Sequence, residues 1–214
     1  VEERTAEIKL AYENTKVLSE ISKEISSCIT IEAINRTVYN RVDKLMDTYS
    51  FGIGIYNPSN NHLEWEAFME GERTSDFISY SIEDPNRLAA ICFKTEKEIL
   101  INDYSVEFEK YITKIPDPIF GVTPFSIIYI PLFNKDVAFG CLTVQSLNKN
   151  VYTDYHINLL KNLAVSISIA IDNANMYKNL EEIVNPYGNP MDADYFVKRH
   201  VIFRTNVLEN GIAY

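Results

Sequence analysis

Apolar and polar residues alternate along two segments in the first third of the chain, which predicts two β-strands. The first covers 51–56 and reads Phe-Gly-Ile-Gly-Ile-Tyr. In the second, four apolar residues share one face: Leu63, Trp65, Ala67 and Met69. The intervening Asn-Pro-Ser-Asn-Asn is a turn sequence, so the strands are expected to form a hairpin. The glycines leave one face of the first strand thin, which would let a helix or a ligand approach closely.

The same alternation predicts two long strands in the second half, at 126–133 and 137–146, and a short strand at 98–101. Residues 104–125 separate the short strand from the long ones and have no clear periodicity. An irregular segment of this length within a compact domain is more often functional than accidental. We therefore expect it to contribute to a binding site.

Helical periodicity of apolar residues marks further elements between the strands. Thr30 is the predicted N-cap of a helix that begins at Ile31. Asp84 and Pro85 predict the start of another helix, with aspartate as the cap and proline at the first helical position. The longest helical pattern begins after Thr153 and runs to about residue 183.

Heptad spacing of apolar residues occurs in the first segment, 1–28, and again in the long helix. This spacing is typical of a parallel coiled coil. A single amphipathic helix lying on its own domain has the same pattern, so both interpretations stay open. If the coiled coil forms, the chain is a homodimer whose predicted interface consists of Leu18, Ile21, Ile25, Leu160, Ile167 and Ala174.

Composition limits the classes of function that need to be considered. The chain has 214 residues and a formal net charge of −10, which argues against a nucleic-acid partner because phosphate binding needs clustered basic residues. The three cysteines are widely separated, so neither a disulfide framework nor a metal site is expected. No stretch is apolar for long enough to span a bilayer, and the first residues lack the features of a secretion signal. We expect a cytoplasmic domain with no membrane segment.

The element order predicts an α+β fold with a central antiparallel sheet, helices on one face, and long N- and C-terminal helices. Within this pattern, residues 126–132, 138–146 and 152–154 closely resemble the second half of a GAF domain. The resemblance implies a signalling helix at 1–29, a GAF domain at 30–183 and an unassigned tail at 184–214. The leading helix resembles those of bacterial sensor kinases and nucleotide cyclases, which implies an output kinase or cyclase domain outside this chain.

The resemblance leaves the ligand open, because members bind cyclic nucleotides, bilins, haem or small metabolites, and some bind nothing. Asn148, Lys149 and Tyr152 fit the start of a cyclic-nucleotide motif, but His156 and Ile157 occupy its acidic positions. The irregular segment contains no cysteine for bilin attachment. No cofactor is therefore assigned.

The predicted ligand site lies between the sheet and the irregular segment. Its expected walls are Trp65, Asp103, Tyr104, Tyr111, Ser126, Ile128 and Thr143, which combine aromatic bodies with a few polar groups. The same aromatic side chains could instead fill the cavity as ordinary core.

We expect a non-enzymatic sensor domain that binds a small molecule or dimerises, and that relays a signal through its flanking helices. One alternative is a dimerisation module with a vestigial pocket. A less favoured alternative is a thiol-based methionine sulfoxide reductase, which resembles this fold. Such an enzyme needs a reactive thiolate and a resolving cysteine. Cys92 lies near one expected position, but the cysteine expected before Ser126 is missing.

Overall fold

The computed structural model describes residues 15–75, 77–118 and 121–184, and an antiparallel β-sheet forms its centre. Its strands are β1 (Ser50–Asn57), β2 (His62–Glu66), β3 (Met69–Glu70), β4 (Arg73–Thr74), β5 (Phe77–Ser81), β6 (Ile99–Ile101), β7 (Ser126–Asn134) and β8 (Val137–Ser146). Their order is β4-β3-β1-β8-β7-β6, and β2 pairs with both β1 and β5. Every pairing is antiparallel, which confirms the predicted α+β fold class.

Five α-helices accompany the sheet in the described residues. They are α1 (residues 15–26), α2 (Ile31–Val42), α3 (Leu88–Thr95), α4 (Tyr104–Glu107) and α5 (Asp154–Val184), and a 3-10 turn, Phe108–Lys110, follows α4. The Thr30 hydroxyl accepts the Ala33 N–H at 3.2 Å, which confirms the predicted cap of α2. The prediction for α3 was wrong by one turn, because the helix begins at Leu88 rather than at Pro85.

The reason for the late start of α3 is a local turn. The Asp84 carboxylate accepts the Asn86 N–H at 2.9 Å, which holds residues 84–86 in a turn rather than in the first turn of a helix. Arg87 consequently occupies the N-cap position, and its side chain makes no capping hydrogen bond.

The predicted hairpin is confirmed by the pairing of β1 with β2, in which Gly54 lies directly opposite Trp65. The indole covers the thin face that the glycines leave. A Cβ atom at Gly54 would lie 2.6 Å from the Trp65 ring, and one at Gly52 would lie 2.4 Å from the Phe68 ring. Two bulky aromatic side chains can therefore pack closely against this strand only because it carries glycine.

The face of the sheet that carries Trp65 packs against α3. Leu88 and Cys92 of α3 join Trp65, Ile127 and Cys141 in one buried cluster. All three cysteines are free thiols. Cys92 and Cys141 are fully buried, as expected for small apolar core residues.

Helices α1 and α5 meet within the chain, where the Ser22 and Ser166 hydroxyls lie 2.7 Å apart. Most side chains of the predicted dimer interface are buried in the single chain: Ile21, Ile25, Leu160, Ile167 and Ala174. Leu18 is half-buried. The structure thus places Ile21, Ile25, Leu160 and Ile167 in the interior of one copy.

Described residues up to Ile171 belong to one compact unit, and a second begins at Asp172. Of the second unit the structure describes only 172–184, the end of α5. The predicted tail beyond Val184 and the start of the predicted leading helix, 1–14, lie outside the described residues. No helix in the described ranges is both long and apolar enough to cross a membrane.

Candidate functional site

A cavity of about 130 Å³ lies between the sheet, the start of α3 and the irregular segment. From the sheet, Ile127, Tyr129 and Gln145 form its base. The first residues of α3 form one side, and stretches 116–118 and 122–124 of the irregular segment form another. The predicted location of the site, between the sheet and the irregular segment, is where the cavity lies.

Aromatic side chains make up much of the wall. The Trp65 indole, which is 2% exposed, stacks on Tyr80 with ring centroids 6.0 Å apart. Phe68 meets the same indole edge-on at 5.9 Å. Such pairs hold large rings in fixed orientations, so the walls are preorganised for an apolar group.

Three phenols line the cavity, and burial raises the pKa of each. It raises the pKa of Tyr104 to about 12, which the nearby Arg87 charge opposes. Burial also raises the pKa of Tyr80 well above its ordinary value, against the smaller effects of Arg87 and of the Trp65 N–H. The pKa of Tyr129 is raised as well, by burial first and by Cys141 second. Each hydroxyl keeps its proton at neutral pH, as an unperturbed phenol also does, and can donate a hydrogen bond.

Arg87 is the only basic residue on the cavity wall within the described part of the chain. Its guanidinium lies 5.5 Å above the centre of the Tyr80 ring, which is a cation–π contact. The Asp84 carboxylate lies 3.3 Å from Nε, and the Arg87 side chain is 23% exposed. The structure thus brings one partly compensated positive charge to the cavity wall.

Glu70 is the buried acidic residue of the wall, and its role is to hold the irregular segment in place. Its Oε1 accepts the Val122 N–H at 2.9 Å. Its carboxylate also packs against Gly121, which has a φ of +69° and leaves no room for a side chain. The contact joins β3 to the segment that closes the cavity.

Of the predicted site residues, Trp65 and Tyr104 line the cavity, whereas Asp103 and Tyr111 do not. The Asp103 side chain caps α4 and lies 2.8 Å from the Lys149 ammonium. This lysine lowers the pKa of the Asp103 carboxyl. Tyr111 is half-buried and packs against the core cluster beside the cavity.

The other three predicted residues, Ser126, Ile128 and Thr143, are buried in the sheet and do not line the cavity. The Ser126 hydroxyl donates to the Asn148 carbonyl at 2.8 Å, and the Thr143 hydroxyl donates to the Ile128 carbonyl at 2.9 Å. Ile128 projects from the opposite face of β7 because neighbouring side chains of a strand alternate.

Sequence reasoning missed several lining residues that carry polar groups, among them Glu70, Arg87, Tyr129 and Gln145. The alternation of β7 offered a signal for Tyr129, since the strand presents either its odd or its even positions to the cavity. Nothing in the sequence marked Glu70, because the bond that fixes it spans 52 positions to Val122.

The residues that resemble a cyclic-nucleotide motif have partners within the fold. Asn148 donates from Nδ2 to the Asp47 carboxylate at 2.7 Å, and the Tyr152 hydroxyl donates to the Asp47 carbonyl at 2.8 Å. Lys149 pairs with Asp103. These contacts fasten the segment that leads into α5.

A family model described as a GAF domain matches residues 28–172. The formate hydrogenlyase transcriptional activator FhlA of Escherichia coli is 20% identical over 173 residues, which cover 80% of this chain and 25% of that protein. The chain therefore spans about a quarter of the length of the curated relatives it matches.

Solved structures show the same fold. The GAF domain of an Acinetobacter phosphoenolpyruvate-protein phosphotransferase has a TM-score of 0.62 at 16% identity, covering 78% of this chain and 98% of that one. The free methionine-R-sulfoxide reductase of Neisseria meningitidis, solved with its substrate, has a TM-score of 0.61 at 15% identity, covering 76% and 90% of the two chains.

Proposed function

The chain belongs to the GAF domain family, and we propose that it is a regulatory sensor domain whose cavity binds a small molecule. The observation that carries this proposal is the aromatic cavity itself, whose wall also carries the polar side chains of Glu70, Arg87 and Gln145. Ligand sites combine apolar walls with a few placed polar groups in this way. The relation to a transcriptional activator supports a regulatory role.

The contacts around the cavity suggest how occupancy would reach the long helix. Tyr104 lines the cavity and directly follows Asn102 and Asp103. Asn102 donates to the Tyr152 carbonyl at 2.9 Å, and its Oδ1 accepts the Tyr152 N–H at 3.1 Å. A ligand that moves Tyr104 would therefore shift the residues immediately before α5. In the proposed mechanism, α5 can pack in two ways and the bound ligand favours one of them. The helix relays this change to an output domain.

Ligand binding is testable with the protein's own fluorescence, because Trp65 is the single tryptophan of the chain and lines the cavity. We expect at least one member of a panel of charged and neutral metabolites to change the Trp65 emission saturably and to raise the melting temperature. The variant Ala89→Leu, which adds volume to a buried position of the wall, should lose both responses while remaining folded. If no metabolite changes either signal, the cavity is ordinary core and the proposal fails.

Dimerisation is the second part of the proposal, and exposed apolar residues on α5 favour it. Val165 is 62% exposed and Ile169 is 56% exposed, one helical turn apart. Met176 and Leu180, further along α5, are also exposed. Apolar residues that recur along one helix at this spacing are typical of a surface that contacts another helix. The proposed partner is a second copy of the chain. The alternative function, a dimerisation module with a vestigial pocket, requires the same dimer.

Sedimentation equilibrium tests the dimer. The double variant Val165→Lys, Ile169→Lys should be monomeric at concentrations where the parent chain is dimeric, and Val137→Lys, at a 69% exposed position of β8, should leave the dimer unchanged. A monomeric parent chain would contradict this part of the proposal.

The thiol-reductase alternative is weakened by burial of the candidate thiols. Cys92 and Cys141 have no exposed surface. Burial raises the pKa of Cys141 well above its ordinary value, and the neighbouring Cys92 adds to the effect. A buried, protonated thiol is a poor nucleophile. Unchanged turnover of free methionine sulfoxide in Cys92→Ser would remove this alternative.

A further inference from the structure

The first turn of α5 is held by two residues that hydrogen-bond to each other. The Thr153 carbonyl accepts the backbone N–H groups of His156 and Ile157 at 3.0 and 3.2 Å, so Thr153 is the N-cap residue of the helix. In return, the Thr153 N–H donates to Nδ1 of the His156 ring at 3.0 Å. In a capping box this second bond is usually made by glutamate or glutamine at the position that His156 occupies. The cap of α5 therefore includes a group that titrates.

The bond to the Thr153 N–H requires that Nδ1 of His156 carries no proton. A neutral imidazole has one acceptor nitrogen and one donor nitrogen, whereas both nitrogens of the imidazolium ion are donors. With Nδ1 as the acceptor, the proton of the neutral ring is on Nε2. After protonation, Nδ1 can still donate to the Thr153 hydroxyl, which lies 3.1 Å away, but it can no longer accept the N–H. Protonation thus brings two donors together in the cap.

The surroundings of the His156 ring also favour its neutral form. Burial lowers the pKa of the imidazole. The rings of Tyr152 and Tyr155 flank it edge-on, with centroids 5.9 and 5.5 Å away. The first turn of a helix disfavours a positive charge, because the macrodipole places its positive end there.

No carboxylate is positioned to stabilise a protonated His156. The charged side chains of the segments that meet at the start of α5 are Asp47, Asp103, Lys149 and Asp154. Asp47 accepts a hydrogen bond from the Asn148 amide, and Asp103 pairs with Lys149. None of these groups forms an ion pair with His156 in the ranges that the structure describes.

We propose that Thr153 and His156 form a pH-sensitive cap, and that protonation of His156 loosens the first turn of α5. The proton acts at the junction that Asn102 holds through the N–H and carbonyl of Tyr152. A fall in pH therefore acts on the helix that carries the proposed signal, with or without a ligand in the cavity. The inference goes beyond the proposed function and does not depend on it.

The direction of the pH effect follows from the lowered pKa of His156 in the folded chain. The neutral cap makes its full contribution to stability above the unfolded pKa of about 6.5, and this contribution is lost as the pH falls through the folded pKa. Urea unfolding of the full chain at about pH 7.5 and about pH 5.5, on either side of the unfolded pKa, measures the loss.

His156→Gln is the matched variant, because glutamine accepts an N–H at this position and does not titrate. Between the two pH values, the folding equilibrium constant of the parent chain should fall roughly threefold or more beyond its fall in His156→Gln. His62→Gln removes a histidine on β2, whose Nδ1 lies 3.0 Å from the Ser79 hydroxyl, and should keep this excess loss. Equal losses in the parent chain and in His156→Gln would overturn the proposal.

A local measurement separates loss of the cap from a general effect of acid. In NMR spectra of the parent chain, the Thr153 amide proton should shift upfield with the same midpoint as the His156 ring signals, because it loses its acceptor. In His156→Gln the Thr153 amide should not respond over the same range. A Thr153 amide that does not follow the His156 titration in the parent chain would overturn the proposal. Either failure leaves the sensor function intact, since that function depends on the cavity.

Discussion

Replacement of Gly54 by alanine should destabilise the domain, because the indole of Trp65 occupies the space above this residue. The new Cβ would lie 2.6 Å from two atoms of the Trp65 ring and 2.9 Å from a third, all well inside van der Waals contact. Overpacking of this kind costs about 1–3 kcal/mol. Alanine recovers about 0.5–1 kcal/mol, since it restricts the unfolded chain more than glycine does. We therefore expect a net loss of about 1–2 kcal/mol, or roughly 2–8 °C in melting temperature.

The assay is urea unfolding followed by circular dichroism, so that the reporter is independent of the tryptophan. Val137→Ala, at a strand position that is 69% exposed, is the control and should change stability by less than about 0.5 kcal/mol. A double-mutant cycle with Trp65→Phe measures the coupling directly, and the smaller ring should relieve much of the cost of Gly54→Ala. A neutral or stabilising Gly54→Ala, without coupling to Trp65, would refute the packing argument.

Three further predictions follow from other parts of the structure. Ile167→Ala should cost about 2–5 kcal/mol of stability independently of protein concentration, because the side chain is fully buried in one copy. If the variant lost stability only through dissociation of a dimer, Ile167 would lie in an interface. Thr30→Ala should cost about 1 kcal/mol by removing the cap of α2, as measured by urea unfolding against Thr30→Ser, which keeps the cap. Burial raises the pKa of Tyr104 to about 12. The protonated Tyr104 side chain therefore makes its full contribution to stability below the unfolded pKa of about 10, and this contribution is lost as the pH rises through the folded pKa. An absorbance titration should show one tyrosine with a midpoint near 12 that Tyr104→Phe removes, and an unchanged titration would contradict this.

The sequence was sufficient to predict β1, β6, β7, β8 and the fold class, since alternation records which face of a strand is buried. It did not predict β5, and the predicted strand through Met69 is interrupted at Ala67, which has a φ of +54° and separates β2 from β3. It could not determine which face of β7 borders the cavity, because both faces are apolar and buried: Ile127 and Tyr129 on one side, Ile128 on the other. The choice depends on α3, which packs over the odd-numbered residues. A site residue on a central strand buried on both faces therefore needs the tertiary structure.

In the helices, heptad spacing could not determine whether the partner helix belongs to the same chain or to a second copy. Residues such as Ile25 and Ile167 recur at the same intervals whether the partner helix belongs to the same chain or to a second copy. The structure places both within one copy. The sequence did not identify Arg87 as a site residue for a different reason. The turn at Asp84 delays the start of α3, so Arg87 is the N-cap residue of this helix rather than an interior position, and it lines the cavity.

The central claim is that occupancy of the cavity is relayed to α5 through Tyr104, Asn102 and Tyr152. Hydrogen–deuterium exchange with and without the tightest-binding ligand of the panel tests it most directly. The account predicts slower exchange at the cavity wall, at residues 102–107 and at 152–160, and it predicts that Asn102→Ala abolishes the effect at 152–160 while ligand still binds. Protection confined to the cavity wall, with 152–160 unchanged in the parent chain, would contradict it.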